Sequence, residues 1–442
     1  MASGFLRFRR PRGGLWAHGD FLKLWTGQTI SEFGSQVSQI AIPTVAVLTL
    51  KASAFQVAAL ETVTFMPFLL FTLPAGVWVD RWRRRWILIA GDLGRALLLL
   101  SIPIVYLAGH LTLAQLYVVG FIVGIHTVFF DVAYQSYLPA LVDRETLVEG
   151  NSKLQMTVSG AAIAGPGLSG GLIALATAPY AILVDACSFL VSGGFTAAIR
   201  KREDPPPSTE RRKLLVELWE GLRYVTTHRL LFPQALSTGS SNFATNVLFS
   251  VYFVYAYRHL GLTPALMGLI GAIGATGWLA GSATADRLRR KLGVNGATLL
   301  GASLTGPAGL LVPLAPKHHL AIPFLAASGA IMGFGAVVYN IQQVSLRQAI
   351  TPERLQGRMN ASMRFLVWGT IPLGSLVGGA LASAFGVRTA IFVGACIGFV
   401  SVVPILLSPL RTLREFPEPE EVPILHEPGL APGVAGPAAV DA

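Results

Sequence analysis

The chain has 442 residues, 52% of them hydrophobic and only 13% charged, where a soluble globular protein carries about a quarter charged residues. Its net charge of +11 comes from cations set between apolar runs rather than along one amphipathic face, which argues against a nucleic-acid partner. Cys187 and Cys396 both lie inside apolar runs and offer neither a disulfide framework nor a metal site.

Residues 1–21 read as a basic cytoplasmic arm with Arg7, Arg9, Arg10 and Arg12. Gly13-Gly14 follows, and no small-residue cleavage site stands where a signal peptide would end. Apolar runs of membrane-spanning length come next, at about 22–49, 55–79, 86–108, 112–138, 154–177, 179–199, 230–257, 264–285, 295–315, 321–344, 359–384 and 388–410. Lipid offers an open backbone no partners, so each is expected to be a helix. The expected architecture is an all-α membrane protein with twelve transmembrane helices in two six-helix bundles, 22–199 and 230–411.

Between spans two and three lies Gly76-Val77-Trp78-Val79-Asp80-Arg81-Trp82-Arg83-Arg84-Arg85. A short link this rich in arginine marks a cytoplasmic loop. With both termini inside, the inner segments hold most of the Lys and Arg, and the outer ones hold only Lys51, Arg258, Lys317 and Arg388. That imbalance sets the orientation in a plasma (inner) membrane, with both termini cytoplasmic.

Residues 200–229 form the cytoplasmic linker. Pro205-Pro206-Pro207 interrupts the chain, and Leu214, Leu215, Leu218, Leu222 and Val225 then fall at helical spacing among charged residues. The linker helix is expected to lie on the membrane surface. Residues 412–442, where Glu and Pro alternate before small residues follow, read as a disordered cytoplasmic tail.

The halves look like a tandem repeat. Gly281 to Lys291, with Asp286 and Arg287, repeats the Gly-x-x-x-Asp-Arg pattern of Gly76, Asp80 and Arg81. Asp80 and Asp286 stand 206 residues apart, and Gln135 and Gln343, like Gly170 and Gly378, stand 208 apart. Two six-helix bundles related by an axis along the membrane normal fit this spacing, with a substrate site between them.

On these residues the chain resembles the major facilitator superfamily over about 20–411. Leu24 to Ser31, Asp80-Arg81 with Gly91-Asp92-Leu93-Gly94-Arg95, Tyr137 to Val142 with Gly150-Asn151-Ser152, and Gly165-Pro166-Gly167-x-x-Gly170-Gly171 resemble its drug:proton antiporter branch. That branch includes enterobactin exporters and macrolide efflux pumps. The resemblance implies gating contacts at Gly76, Asp80, Arg81 and Arg84 and at Asp286 and Arg287. Asp80 would neighbour Arg364 at the start of span eleven. The span-five glycines with Pro166 would seal the outer side, although tight packing explains them as well. Span four departs from the pattern, holding His126 where many such antiporters hold a stronger base.

Charges inside spans are costly and usually functional. Asp92 and Arg95, three apart, should neutralise each other. Glu61 and Asp185 fall near the outer ends and could reach water. Gln28, Glu32, Gln36 and Gln39 form one polar stripe on span one. Glu32 falls near mid-membrane, where an anion is costly and a carboxyl can exchange a proton between the two sides. Glu32 and Asp131 are the proton-coupling candidates; permanent bonding of Glu32 to a neighbouring helix is the alternative for the first, and a helix-end or loop anchor near the inner end of span four is the alternative for Asp131. Asn242, Asn246, Tyr252, Tyr339, Asn340 and Gln343 join the stripe as cavity candidates, though each could equally bond helix to helix.

No Walker loop or catalytic cluster appears, so no enzyme, cofactor or metal is expected. The expected activity is proton-coupled export of small amphipathic molecules by a monomer, with protons, solute and lipid as partners. A lipid or lysolipid flippase of the same fold, or a non-transporting scaffold or sensor, are the alternatives.

Overall fold

A computed structural model describes residues 15–79, 82–143, 146–201, 203 and 214–415. Asp80, Arg81, most of the basic arm, the linker before Leu214 and the tail beyond Glu415 lie outside the described residues. The described chain is helical almost throughout. The first bundle comprises α1 (Gly19–Thr44), α2 (Ala54–Val79), α3 (Arg84–Leu107), α4 (Leu113–Leu141), α5 (Leu147–Ala176) and α6 (Ala178–Ala197). After α7 (Leu214–Thr227) comes the second, with α8 (Leu231–Phe249), the short α9 (Tyr252–Val254), α10 (Pro264–Ser303), α11 (Thr305–Leu314), α12 (Ala321–Ile350), α13 (Glu353–Trp368), α14 (Thr370–Phe385), α15 (Val387–Val400) and the short α16 (Val403–Leu406).

Nine helical stretches among the described residues are long and apolar enough to cross a membrane. Expected spans one and seven, α1 and α8, are not in that set because their polar residues dilute the apolar run. Expected spans eight and nine fall in a single stretch, Pro264–Leu314. The loop expected at 286–294 shrinks to a turn at Gly293, whose φ of 76° favours glycine. Asp286 to Lys291 stay helical, because Asp286 pairs one turn on with Arg289 and Arg290, both at 2.8 Å.

The repeat is sharper in the backbone than in the residues. Five-residue π-helical turns close α1 and α9, at Val45–Thr49 and Tyr255–His259. Left-handed residues recur in pairs 209 or 210 residues apart, Lys51 with Gly261, Gly109 with His318 and Thr177 with Gly386. One member of each pair is glycine and the other is not, so the two halves make the same turn with different residues.

Burial separates the two ends of the molecule. The basic end carries the start of α1, Arg83 to Arg85 and Arg287 to Lys291. At the opposite end one apolar core runs through both bundles, from Val37, Ala58 and Ile182 to Tyr255, Leu325 and Ile391. At the basic end each bundle keeps its own core, around Phe21, Leu88 and Tyr137 in the first and Leu231, Met363 and Leu410 in the second. The bundles are therefore joined at the far end and part towards the basic end.

The linker helix does not rest on its surroundings by its leucine face alone. Gly221 lies so close to α13 that a Cβ there would sit 2.6 Å from the Arg358 carbonyl oxygen, Glu220 pairs with Arg358, and Val225 is fully buried. The side chains of Leu214, Leu215 and Leu218 lie outside the description, and Trp219 is exposed.

Candidate functional site

The joint at the far end is made by small residues. Gly170 of α5 faces Gly268 of α10, and Pro166 packs on Gly271. Gly379 of α14 meets Phe55 and Ala58 of α2 in the matching place of the other half. The Thr44 and Tyr257 hydroxyls bond at 2.7 Å, and Arg258 donates to the Val47 carbonyl at 3.1 Å. Gly165 fits against the Gln36 side chain, whereas Gly171 and Gly76 have open space where a Cβ would point. Close approach thus explains Gly165 and Gly170 and does not explain the other two.

Of the expected gating arginines, Arg84 is engaged on its own side of the molecule, as is its neighbour Arg85. Arg84 pairs with Glu203 at 3.5 Å, and Arg85 donates to the Ala197 carbonyl at 2.6 Å, tying α3 to the end of α6. Arg287 and Asp286 are exposed. The expected meeting of Asp80 with span eleven lies outside the described residues.

The polar stripe of span one divides between neighbours. Gln28 is buried and donates to the Ser192 hydroxyl of α6 at 3.3 Å. Gln36 packs on α5, and Gln39 is exposed. Glu32 lies between them, half-buried, within electrostatic range of Asp131 on α4 and Arg95 on α3. Among the described residues no hydrogen bond or ion pair ties Glu32 to a neighbouring helix. Asp131 is half-buried too, and is in range of Arg95 and of Arg364 on α13, across the opening.

Arg95 is the residue that sequence reasoning underrated. Its guanidinium lies between the rings of Phe130 and Phe189, 4.2 and 4.1 Å from their centroids. It donates to Asp92 Oδ1 at 2.6 Å and to the Gly91 carbonyl at 3.3 Å. Gly94 leaves room for the His126 imidazole, which a Cβ would strike at 2.5 Å. The expected Asp92–Arg95 pair is thus present, and it anchors a wider set of charges. Asp185, expected to reach water, is instead buried at 2% exposure, accepts from the Ser188 hydroxyl at 3.3 Å and lies in range of Arg95. Gly34 makes room for Asp185 and Ser188 against α1.

In the second bundle, Arg364 stacks over the Trp368 ring at 4.3 Å, and Phe68 of α2 touches that ring from the first bundle at 5.7 Å. The Asn242 amide donates to the Val367 carbonyl and Asn246 to the Asn242 carbonyl. Tyr339 bonds the Thr238 hydroxyl at 2.7 Å, and Tyr252 is buried beside Phe249 and Phe253. Asn242 and Tyr339 thus join helix to helix, whereas the Asn246 bond stays within α8 and Tyr252 stacks among its chain neighbours. Asn340 is exposed and accepts from the Gln343 amide at 2.9 Å.

By helical rise, Glu32 lies about 20 Å along α1 from Gly19, Asp131 about 15 Å along α4 from Leu141, and Arg364 about 16 Å along α13 from Glu353. Measured from these helix ends, the three depths differ by about one helical turn at most.

A family model described as transmembrane secretion effector matches residues 15–435. The multidrug efflux pump Tap of Mycolicibacterium fortuitum is 28% identical over 396 residues, which cover 86% of this chain and 93% of that protein. The enterobactin exporter EntS of Citrobacter koseri is 24% identical over 415 residues, covering 92% and 95%. The inward-facing crystal structure of a bacterial homologue of the iron transporter ferroportin superposes with a TM-score of 0.70 at 18% identity, covering 88% of this chain and 98% of that one.

Proposed function

The chain belongs to the transmembrane secretion effector family of the major facilitator superfamily, and from that premise we propose that it exports small amphipathic molecules, drug-like or siderophore-like, in exchange for protons. It is a multi-span bacterial membrane transporter and not an enzyme. The basic end faces the cytoplasm, because loops rich in Lys and Arg are retained there. The described conformation then opens inward, with the joined end closing the outside.

The observation that carries the coupling proposal is the Glu32–Asp131 pair, two half-buried carboxyls within electrostatic range of each other and without hydrogen bonds among the described residues. One loaded site serves two ligands in turn. A proton enters from outside when the far end opens, and leaves to the cytoplasm when the basic end opens. Substrate competes for the deprotonated form, so the two are never carried together. Rocking of the bundles about the Gly170–Gly268 and Ala58–Gly379 contacts alternates the access.

A flippase reading is less well supported. An apolar groove of about 310 Å³ opens between α8, α13, α14 and α15, lined by Phe232, Leu236, Phe243 and Leu366 among others. It holds no charged residue and shares none with the Glu32–Asp131–Arg364 set, so a lipid headgroup would find no ionic partner there. The export reading is tested in proteoliposomes that hold the purified chain and a fluorescent efflux substrate. Accumulation against the substrate gradient, driven by an imposed pH gradient and collapsed by a protonophore, is expected. No uphill movement would reject it.

A further inference from the structure

Charge inside the spans is divided between the bundles. Glu32, Glu61, Asp92, Asp131 and Asp185 all belong to the first. The second holds no carboxylate inside its expected spans; Asp286 lies just past expected span eight and Glu353 opens α13, and Asp286 is answered by Arg289 and Arg290. The first bundle's Arg95 is already answered by Asp92 at 2.6 Å. Its wall therefore presents negative charge at Glu32 and Asp131. The opposite wall presents Arg364, half-buried, in electrostatic range of Asp131 but in no direct ion pair among the described residues, so the two charges offset each other only in part. Arg347, about one turn from the end of α12, adds a second cation nearer the basic mouth, and its Nε is buried without a partner.

An uncompensated charge held away from water is costly, and a ligand that supplies the missing charge recovers that cost. A purely cationic ligand would satisfy Glu32 and Asp131 and leave Arg364 facing it. A purely anionic one would do the reverse. We infer that this site takes an amphipathic zwitterion, with its amine at Glu32 and Asp131 and its carboxylate at Arg364. The planar guanidinium fits a carboxylate with two parallel hydrogen bonds. Trp368 and Phe68, in contact across the bundles beside Arg364, receive the apolar body. Such a ligand also bridges the two walls, which favours closure of the basic end around it.

The inference rests on the reading of the inter-bundle opening as the substrate site, and its test needs no proton gradient. Three probes share one fluorophore: dansylcadaverine is cationic, N-dansylglycine anionic, and Nε-dansyl-lysine carries both charges. Binding to the purified full chain in nanodiscs is followed by dansyl emission. Nε-dansyl-lysine should bind about tenfold more tightly than either singly charged probe. Arg364→Gln should weaken N-dansylglycine and Nε-dansyl-lysine and spare dansylcadaverine. Asp131→Asn should weaken dansylcadaverine and Nε-dansyl-lysine and spare N-dansylglycine. The spared probe shows in each case that the variant is folded. Equal affinity for all three probes, absence of Nε-dansyl-lysine binding, or equal weakening of every probe by Arg364→Gln would overturn the inference. Failure of uphill transport with this binding pattern intact would remove the antiport reading and leave the zwitterion site standing.

Discussion

Gly170 of α5 and Gly268 of α10 meet across the two bundles, so closely that a Cβ on Gly170 would lie 2.8 Å from the Gly268 Cα. Backbone on both sides leaves nothing flexible to yield. Gly170→Val should force the far end apart, at a cost of about 1–3 kcal/mol to the joined state. A cysteine placed at Thr44, behind that joint, should then react faster with a membrane-impermeant maleimide added from the outside. Gly171→Val is the control, since open space surrounds its Cβ direction. Equal labelling in the two variants would refute the joint.

Arg95 lies between two rings and bonds a buried carboxylate, so its loss should be felt as stability before transport. Arg95→Ala strands Asp92, which is fully buried, and should cost about 3–5 kcal/mol. Arg95→Lys keeps the charge and loses the stacked planar contact, so it should fall between wild type and the alanine variant. Thermal unfolding in detergent orders the three. An alanine variant as stable as wild type would show that the pair contributes nothing net.

The helical membrane architecture is legible in the sequence because twenty-odd apolar residues have few alternatives to a membrane helix, while the count of twelve spans is not: nine stretches among the described residues are long and apolar enough to cross. The repeat was legible from Gly170 and Gly378, yet the stronger signal, the paired left-handed turns, was hidden where Lys51, Thr177 and His318 replace glycine. The stripe of span one was read as one face, and its spacing is real. Periodicity states that Gln28, Glu32 and Gln36 share a side, but not that α6 takes the first and α5 the last. The charges of Asp286 to Lys291 suggest a loop, but the helix continues through them, with Asp286 paired one turn on to Arg289 and Arg290. Spacing gives the Asp92–Arg95 pair, but not the two rings that hold Arg95, because Phe130 and Phe189 are remote from it in sequence and carry no charge.

Thr177 stands at φ 66° and ψ 158°, a region that only glycine occupies freely, and its counterpart in the other half is Gly386 at φ 89° and ψ 154°. Thr177→Gly should relieve strain and stabilise the chain by about 1 kcal/mol after the added chain entropy is counted. Gly386→Thr should destabilise it. A lower unfolding midpoint for Thr177→Gly would contradict the assignment of strain to that turn.

Asp20 closes the basic end of the first bundle, accepting from the Lys23 ammonium at 2.8 Å and from the Arg200 and Lys201 amides at 3.1 and 2.9 Å. Burial pushes its carboxyl up, but the Lys23 hydrogen bond and the two amide donors outweigh it and hold the group below the usual carboxylate range. A depressed folded-state value stabilises above the unfolded one and is lost as pH falls through the folded one. Wild type should therefore exceed Asp20→Asn in stability at neutral pH, with the gap closing in acid. A gap that is constant from pH 7 to pH 3 would rule out this ionic contribution.

The central claim is that Glu32 carries the coupling proton, and one substitution separates coupling from structure. Glu32→Gln mimics the protonated acid without removing bulk. In proteoliposomes, the variant and wild type are compared for substrate counterflow without a gradient and for uphill export under an imposed pH gradient. Counterflow should persist in Glu32→Gln while uphill export is lost. Uphill export by the variant at the wild-type rate would show that the proton travels elsewhere.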